Sequence, residues 1–354
     1  MKVLTIIGAR PQFIKASVVS KAILEQSALS EVIVHTGQHF DSNMSDIFFE
    51  QLGIPKPDYQ LDIHGGTHGQ MTGRMLMEIE SVMLKEKPDR VLVYGDTNST
   101  LAGALAAAKL HIPTAHIEAG LRSYNMRMPE EVNRILTDQV SDILFCPTAA
   151  AIENLRQEGF EQKPVKIMNV GDVMQDSAMF FAQRAAVPSG LNAQEGFVLT
   201  TLHRAENTDD PVRLASIVKA LNEINRVVAP VILPLHPRTR GVIEHLGLKL
   251  EVQVIEPVGY LEMIGLLQRC GLVLTDSGGV QKEAFFFGKP CVTMRDQTEW
   301  VELVSCGANV LVGADQEKIV ESARACKGKV IKDDGQLYGG GQAASRIADT
   351  LARL

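Results

Sequence analysis

Short apolar runs rich in branched residues alternate with longer segments of helical periodicity along the whole chain, and this alternation constrains the fold more than any other feature. Residues 3–7 form such a run, followed at once by Gly8-Ala9-Arg10-Pro11 and then by a periodic segment over 13–24. That is the pattern of strand, tight turn and helix. It returns as strands at 31–36, 90–94, 114–117, 143–146 and 166–170, with helices at 71–85, 99–110 and 130–140. Pro129 opens the last of these helices, where a missing N–H costs nothing. Beyond residue 194 the alternation resumes, with strands at 197–201, 231–235, 253–255, 272–275, 291–294 and 308–311. Its helices are at 212–227, 239–245, 260–269, 281–287 and 316–326. Strands alternating with helices predict parallel sheets with right-handed crossovers.

A chain of 354 residues is longer than one hydrophobic core usually serves, so two domains are expected. The stretch 171–194 changes character, carrying one helix-like piece and then Pro188, Ser189 and Gly190, and we place a hinge there. The expected fold is α/β, with two doubly wound Rossmann-like domains, 1–171 and 172–341, facing a central cleft. The last helix, 342–354, is expected to cross back onto the first domain.

With 45% hydrophobic and 22% charged residues the composition is that of a soluble globular protein, and a net charge of -7 argues against nucleic acid or a polybasic membrane contact. The partner expected is a small molecule. The five cysteines, Cys146, Cys270, Cys291, Cys306 and Cys326, form no CxxC pair, which supports neither a zinc cluster nor a redox motif. The N-terminus MKVLTIIGAR lacks a signal-peptide h-region, and no apolar run reaches the ~18 residues of a membrane span, so a cytoplasmic protein is expected.

The chemistry concentrates in 116–134, HIEAGLRSYNMRMPEEVNR, where Glu118, Arg122, Arg127, Glu130, Glu131 and Arg134 follow a buried strand. Open α/β sheets put their ligands beyond the carboxyl ends of their strands, although dense mixed charge also suits a solvated loop. Asp96 ends the preceding strand and points to the same place. At the first strand end, Gly8 allows a sharp turn, the helix N-terminus offers N–H groups to an anion, and Arg10 and Lys15 add positive charge. Phosphate binding and a plain turn both remain open there. Asp276-Ser277-Gly278-Gly279 is the stronger signal, since it follows an apolar strand and opens a helix; nucleotide diphosphate is favoured, with Glu283 placed to accept from ribose hydroxyls. His203-Arg204 and His236-Pro237-Arg238 follow two further strands, facing the cleft. Neither turn is a dinucleotide fingerprint or P-loop; the GxGxxA match at 339–344 lies too near the C-terminus for a βαβ unit, so bound NAD is not supported and no cofactor is expected. His35xxxHis39 and His64xxxHis68 lie in glycine-rich loops and are not read as metal sites.

Together these motifs resemble the non-hydrolysing UDP-N-acetylglucosamine 2-epimerase family. The resemblance runs through GARPQFIK at the start, TGQH at 36–39, GDTNSTLA at 95–102, HIEAGLR at 116–122, PEEVNR at 129–134, HRAEN at 203–207, PLHPR at 234–238, TDSGGVQKEA at 275–284 and GGGQAASRI near the end. It implies the GT-B-like pair of Rossmann domains shared with many nucleotide-sugar glycosyltransferases, a UDP-sugar substrate and a homodimer. It also implies Asp96, Glu118 and Glu130 as catalytic carboxylates, Arg10 and Lys15 facing the phosphates, His203 by the pyrophosphate and His236 as a further contact. Ser277, Gly278, Gly279 and Glu283 would hold the UDP, with Arg122, Arg127 and Arg134 among the substrate contacts. Gln38 and His39 match a segment where some members bind a second, activating UDP-sugar. The SYNMRM loop after Arg122 is about one residue shorter than in members acting on UDP-N-acetylglucosamine, and Trp300 stands in TEWVE where those members carry an arginine. Both features look like the branch acting on UDP-2,3-diacetamido-2,3-dideoxyglucuronate for bacterial surface polysaccharide such as O-antigen.

The hydrogen on sugar C2 is not next to a carbonyl, so a carboxylate needs help to remove it. Departure of UDP from C1 supplies that help: positive charge at C1 acidifies C2–H, a glycal forms, and UDP returns while a proton arrives on the opposite face of C2. The rival readings are epimerisation of UDP-N-acetylglucosamine itself, a retaining UDP-sugar glycosyltransferase and a non-catalytic UDP-sugar sensor.

Overall fold

The structure is a computed structural model that describes residues 1–38, 53, 56–188, 191, 194–335 and 337–354. The chain divides into two compact units, one of Met1–Ser177 with Gly335–Leu354 and the other of Ala178–Asp334.

In the first unit the order is β1 (Lys2–Ile7), α1 (Arg10–Leu24), β2 (Ser30–His35), β3 (Tyr59–Gln60), α2 (His68–Glu86), β4 (Arg90–Tyr94) and α3 (Asn98–Lys109). It continues with β5 (Thr114–Ile117), α4 (Pro129–Val140), β6 (Ile143–Cys146), α5 (Ala149–Gln157), β7 (Lys166–Asn169), the first half of α6 (Val173–Ala182), within which the second unit begins, and, from the far end of the chain, α14 (Ala343–Ala352). The strands make one parallel sheet in the order β3-β2-β1-β4-β5-β6-β7. The chain starts in the middle, winds to one edge and then turns to the other, so the order reverses between β1 and β4. That reversal is where such sheets bind ligands.

The second unit repeats the plan. Its strands β8 (Val198–Thr201), β9 (Val231–Pro234), β10 (Gln253–Ile255), β11 (Leu272–Thr275), β12 (Cys291–Thr293) and β13 (Asn309–Leu311) order as β10-β9-β8-β11-β12-β13, all parallel. The helices are α7 (Ala205–Thr208), α8 (Pro211–Val227), α9 (Pro237–His245), α10 (Tyr260–Arg269), α11 (Gly278–Phe286), α12 (Val301–Ser305) and α13 (Gln316–Cys326). Successive strand residues point to opposite faces, and here both faces are covered. Val198, Val231, Leu233, Leu272 and Leu274 pack with Leu214, Ile217 and Leu221 of α8; Leu199, Ile232 and Val273 pack the other way, with Leu266, Leu267 and Ala284. This is why the strands read as unbroken apolar runs.

Most elements fall within a few residues of their expected bounds. Three helices were not foreseen: α5, α7 inside the HRAEN motif and α12. The last two have four and five residues, too few to show a helical period.

Helix α14 packs on α1, with Ile347, Ala348 and Leu351 fully buried. Its first turn is capped by Asp176 of α6, whose carboxylate accepts from the amides of Ala343 at 3.1 Å and Ala344 at 2.8 Å. Burial pushes the Asp176 carboxyl up to about 6 in spite of these two donors. Among the described residues, no helix is long and apolar enough to cross a membrane.

In the second unit, helix α10 meets the segment that follows α6 at Gly265. A Cβ added there would stand 2.0 Å from the carbonyl oxygen of Ala186. Gly265→Ala should therefore lower stability by about 1–3 kcal/mol in urea unfolding, although alanine is the better helix former by about 1 kcal/mol. A variant as stable as the parent would contradict this close packing.

Candidate functional site

In the first unit the β1–α1 turn is the one for which an anion site and a plain turn were both open. The amides of Gly8 and Ala9 both donate to Gln12 Oε1, at 2.8 and 3.0 Å, so the side chain of Gln12 occupies the place foreseen for an anion. Its Nε2 donates to the Tyr94 carbonyl at 2.8 Å and to Thr100 Oγ1 at 3.0 Å, which bolts the turn to β4 and α3. Arg10 is half-buried at the start of α1. Lys15, one turn further on, is buried and forms an ion pair with Glu118.

Glu118 follows β5 with φ of +71°, a left-handed backbone that costs a residue with a side chain roughly 1–2 kcal/mol. Its carboxylate lies over Gly95, where an added Cβ would come 3.0 Å from Glu118 Oε2; glycine keeps that space open. Asp96, next in the chain, pairs with Arg134 of α4. Enclosure pushes the Asp96 carboxyl above its ordinary range, the charge of Arg134 pulls it back, and Glu118 adds to the rise. Lys15, Asp96, Glu118 and Arg134 thus form one electrostatic group at the reversal of the sheet.

The neighbouring glutamates of α4 divide. Glu131 is fully buried and accepts from the amides of Ser123 (2.9 Å) and Tyr124 (2.8 Å) and from Arg134 Nη1 (2.6 Å). Glu130 is exposed. Arg127, in the loop that Glu131 folds, is also exposed and has no side-chain partner among the described residues.

Arg122 is a correction. Its side chain is fully buried between Asp138 (2.7 Å) and Glu158 (2.7 Å), so it holds the loop rather than a substrate. Gln38 reaches α3, accepting from the Ser99 amide at 3.1 Å and the Ser99 hydroxyl at 2.8 Å. His39 lies outside the described residues.

In the second unit the organising group is Asp276, fully buried after β11 and given no separate role in the sequence reading. Its carboxylate accepts from the amides of His203 (3.0 Å) and Arg204 (2.9 Å) and lies 3.3 Å from His203 Nδ1. It therefore ties the end of β8 to the end of β11, again at the sheet reversal. Ser277 caps α11, its Oγ accepting from the Val280 amide at 3.5 Å. Among the described residues the amides of Gly278 and Gly279 have no protein acceptor. Glu283 is buried one turn along. His236 is the exposed cap of α9, its Nδ1 accepting from the Arg238 amide at 3.3 Å.

Trp300, buried at 6% exposure, donates from Nε1 to the Gly278 carbonyl at 2.9 Å, and the Lys282 ammonium sits 4.1 Å from its ring centre. Gln281, fully buried, donates to the Ser277 carbonyl at 3.2 Å and accepts from Thr298 and Asn309. Among the described residues no group of three or more His, Cys, Asp and Glu side chains is arranged to hold a metal ion.

The family model for UDP-N-acetylglucosamine 2-epimerase matches residues 21–352. The chain belongs to that family. A UDP-2,3-diacetamido-2,3-dideoxy-D-glucuronate 2-epimerase of Pseudomonas aeruginosa is 84% identical over 354 residues, all of both chains. The UDP-N-acetylglucosamine 2-epimerase of Escherichia coli is 34% identical over 99% of this chain and 98% of its own. The crystal structure of the Methanocaldococcus jannaschii UDP-GlcNAc 2-epimerase in complex with UDP-GlcNAc and UDP superposes with a TM-score of 0.87 at 43% identity, covering 100% of each chain.

Burial pushes the Glu283 carboxyl from an ordinary 4.5 up to about 7, against the pull of Lys282. A carboxyl raised in the fold contributes stability that is present below about 4.5 and lost as pH rises through about 7. Glu283→Gln should escape that loss. Its stability advantage over the parent should grow across this window to on the order of 2–3 kcal/mol, read by urea unfolding at a series of pH values. A constant difference across the window would contradict it.

Proposed function

We propose that the chain is a UDP-sugar 2-epimerase that converts UDP-2,3-diacetamido-2,3-dideoxyglucuronate to its manno epimer, in the cytoplasm, for bacterial surface polysaccharide. The observation that carries this reading is the relative of that activity, 84% identical from end to end. The family and its structures in complex with UDP-GlcNAc support the UDP-sugar part of it.

In this reading the turn at Ser277, Gly278 and Gly279 holds the diphosphate on its unclaimed amides and the dipole of α11, with His203 beside it. Glu283 accepts from the ribose, while Arg10 and Lys15 stabilise the departing UDP. Asp96, Glu118 and Glu130 serve the two faces of C2 and the charge at C1. Asp96, whose carboxyl is raised above its ordinary range by burial, is the proposed donor of a proton to the glycal. Two copies are proposed to associate. Met77 and Leu84 on α2 and Leu136 and Val140 on α4 are exposed apolar side chains on the two helices that flank α3.

Incubation with the diacetamido-uronate substrate in D2O, without any acceptor, should place deuterium at C2. UDP release that depends on an acceptor would instead indicate a glycosyltransferase, and no reaction a sensor. Asp96→Asn and Glu118→Gln should each lose exchange by at least ~100-fold while still binding UDP by calorimetry; near-parental turnover in both removes them from the mechanism.

Arg127, exposed in the short loop, is proposed to read the sugar carboxylate through a bidentate pair. Arg127→Ala should then reduce kcat/KM for the uronate by about 10–100-fold, with little change for UDP-N-acetylglucosamine. Equal losses on the two sugars would sink this assignment.

A further inference from the structure

Behind the two carboxylate-bearing turns of the first unit lies a chain of charged groups that the reaction scheme does not use. His116 of β5 is fully buried. Its Nε2 lies 2.7 Å from the Gly95 carbonyl oxygen and its Nδ1 2.7 Å from Asp138 Oδ1. A carbonyl oxygen only accepts, so Nε2 carries a hydrogen. Asp138 Oδ2 already takes the Arg122 Nη1 donor at 2.7 Å and the Gly120 amide at 3.1 Å, the surroundings of an ionised carboxylate. An ionised carboxylate also only accepts, so Nδ1 carries a hydrogen too, whereas a neutral imidazole has one N–H.

We infer that His116 is held as a doubly protonated imidazolium and acts as a positioning residue, fixing the Asp96 turn and the Glu118 turn to one another. The guanidinium of Arg122 lies between the fully buried Asp138 and the solvent-reaching Glu158, so a charged His116 gives the alternating series imidazolium, carboxylate, guanidinium, carboxylate. Among the described residues Cys146 of β6 also faces this network; burial and the charge of Asp138 push its thiol up, so it adds no charge.

Each end of the imidazolium reaches a turn of the site. Nε2–H holds the carbonyl of Gly95, a left-handed residue directly before Asp96. Through Asp138 the other end reaches the amide of Gly120, a left-handed residue two positions after the left-handed Glu118. Asp138 thus joins α4, the Glu118 turn and β5 at a single carboxylate.

The test is nitrogen NMR of the whole protein with labelled histidine. At about pH 9, where an ordinary histidine is neutral, one imidazole should keep both N–H groups, and its signals should vanish in His116→Gln. A spectrum of the parent protein with no doubly protonated ring at that pH overturns the proposal without reliance on any variant. Asp138→Asn should return His116 to a single N–H, and persistence of both protons there would also overturn it. Resting on the proposed epimerase reading, His116→Gln should lower kcat by about 100-fold with KM changed less than ~3-fold. An unchanged kcat removes the positioning role. Failure of the parent protein to epimerise would count against that functional reading alone, because the nitrogen spectrum does not depend on turnover.

Discussion

A parallel sheet covered by helices on both faces leaves few places where a charged side chain can reach a ligand. Along the central strands β4, β5, β6, β8 and β11 every position is buried, so the polar groups collect where the strands end, and in both units they gather on either side of the reversal in strand order. Gly8, Arg10 and Lys15 follow β1, Asp96 follows β4 and Glu118 follows β5. His203 and Arg204 follow β8, and Asp276 and Ser277 follow β11. The position of the chemistry is thus a consequence of the way the cores are built.

The two turns meet negative charge in different ways. In the first unit, cations are already committed to carboxylates: Lys15 to Glu118, Arg134 to Asp96 and Glu131, Arg122 to Asp138 and Glu158. In the proposed reading an anionic ligand near Lys15 or Arg134 would compete with those pairs, and the charge of Arg134 acts directly on the Asp96 carboxyl. In that reading binding and acid–base state would be coupled through shared cations.

The strands were legible because burial on both faces produces unbroken apolar runs with abrupt ends; β4, β5, β6, β10 and β11 have the bounds their sequences suggest. What escaped was set by partners distant in the chain. Arg122 looks like a ligand contact until it is seen paired with residues 16 and 36 positions away. Glu130 and Glu131 are identical neighbours, and only the rotation of about 100° per residue along α4 turns one into the core and leaves the other exposed. Gln12 reads as an ordinary polar helix residue, yet its side chain takes the turn amides that a phosphate reading would have used. Asp276 stands in a glycine-rich motif whose serine and glycines drew the attention, while the buried carboxylate organises both sides of the reversal.

The second turn shows a different use of the same principle. Its carbonyls are fixed from beneath, Ser277 by Gln281 and Gly278 by the indole of Trp300, while among the described residues its amides at 278 and 279 have no protein acceptors. Holding the carbonyls sets the direction of the amides before any ligand arrives, so little backbone freedom is lost on binding. Lys282 contributes in a similar manner: packed on the Trp300 ring, its charge moderates the cost of the buried Glu283 next to it. The first unit thus stores compensated charge, whereas the second presents fixed dipoles on which, in the proposed reading, a diphosphate would be held.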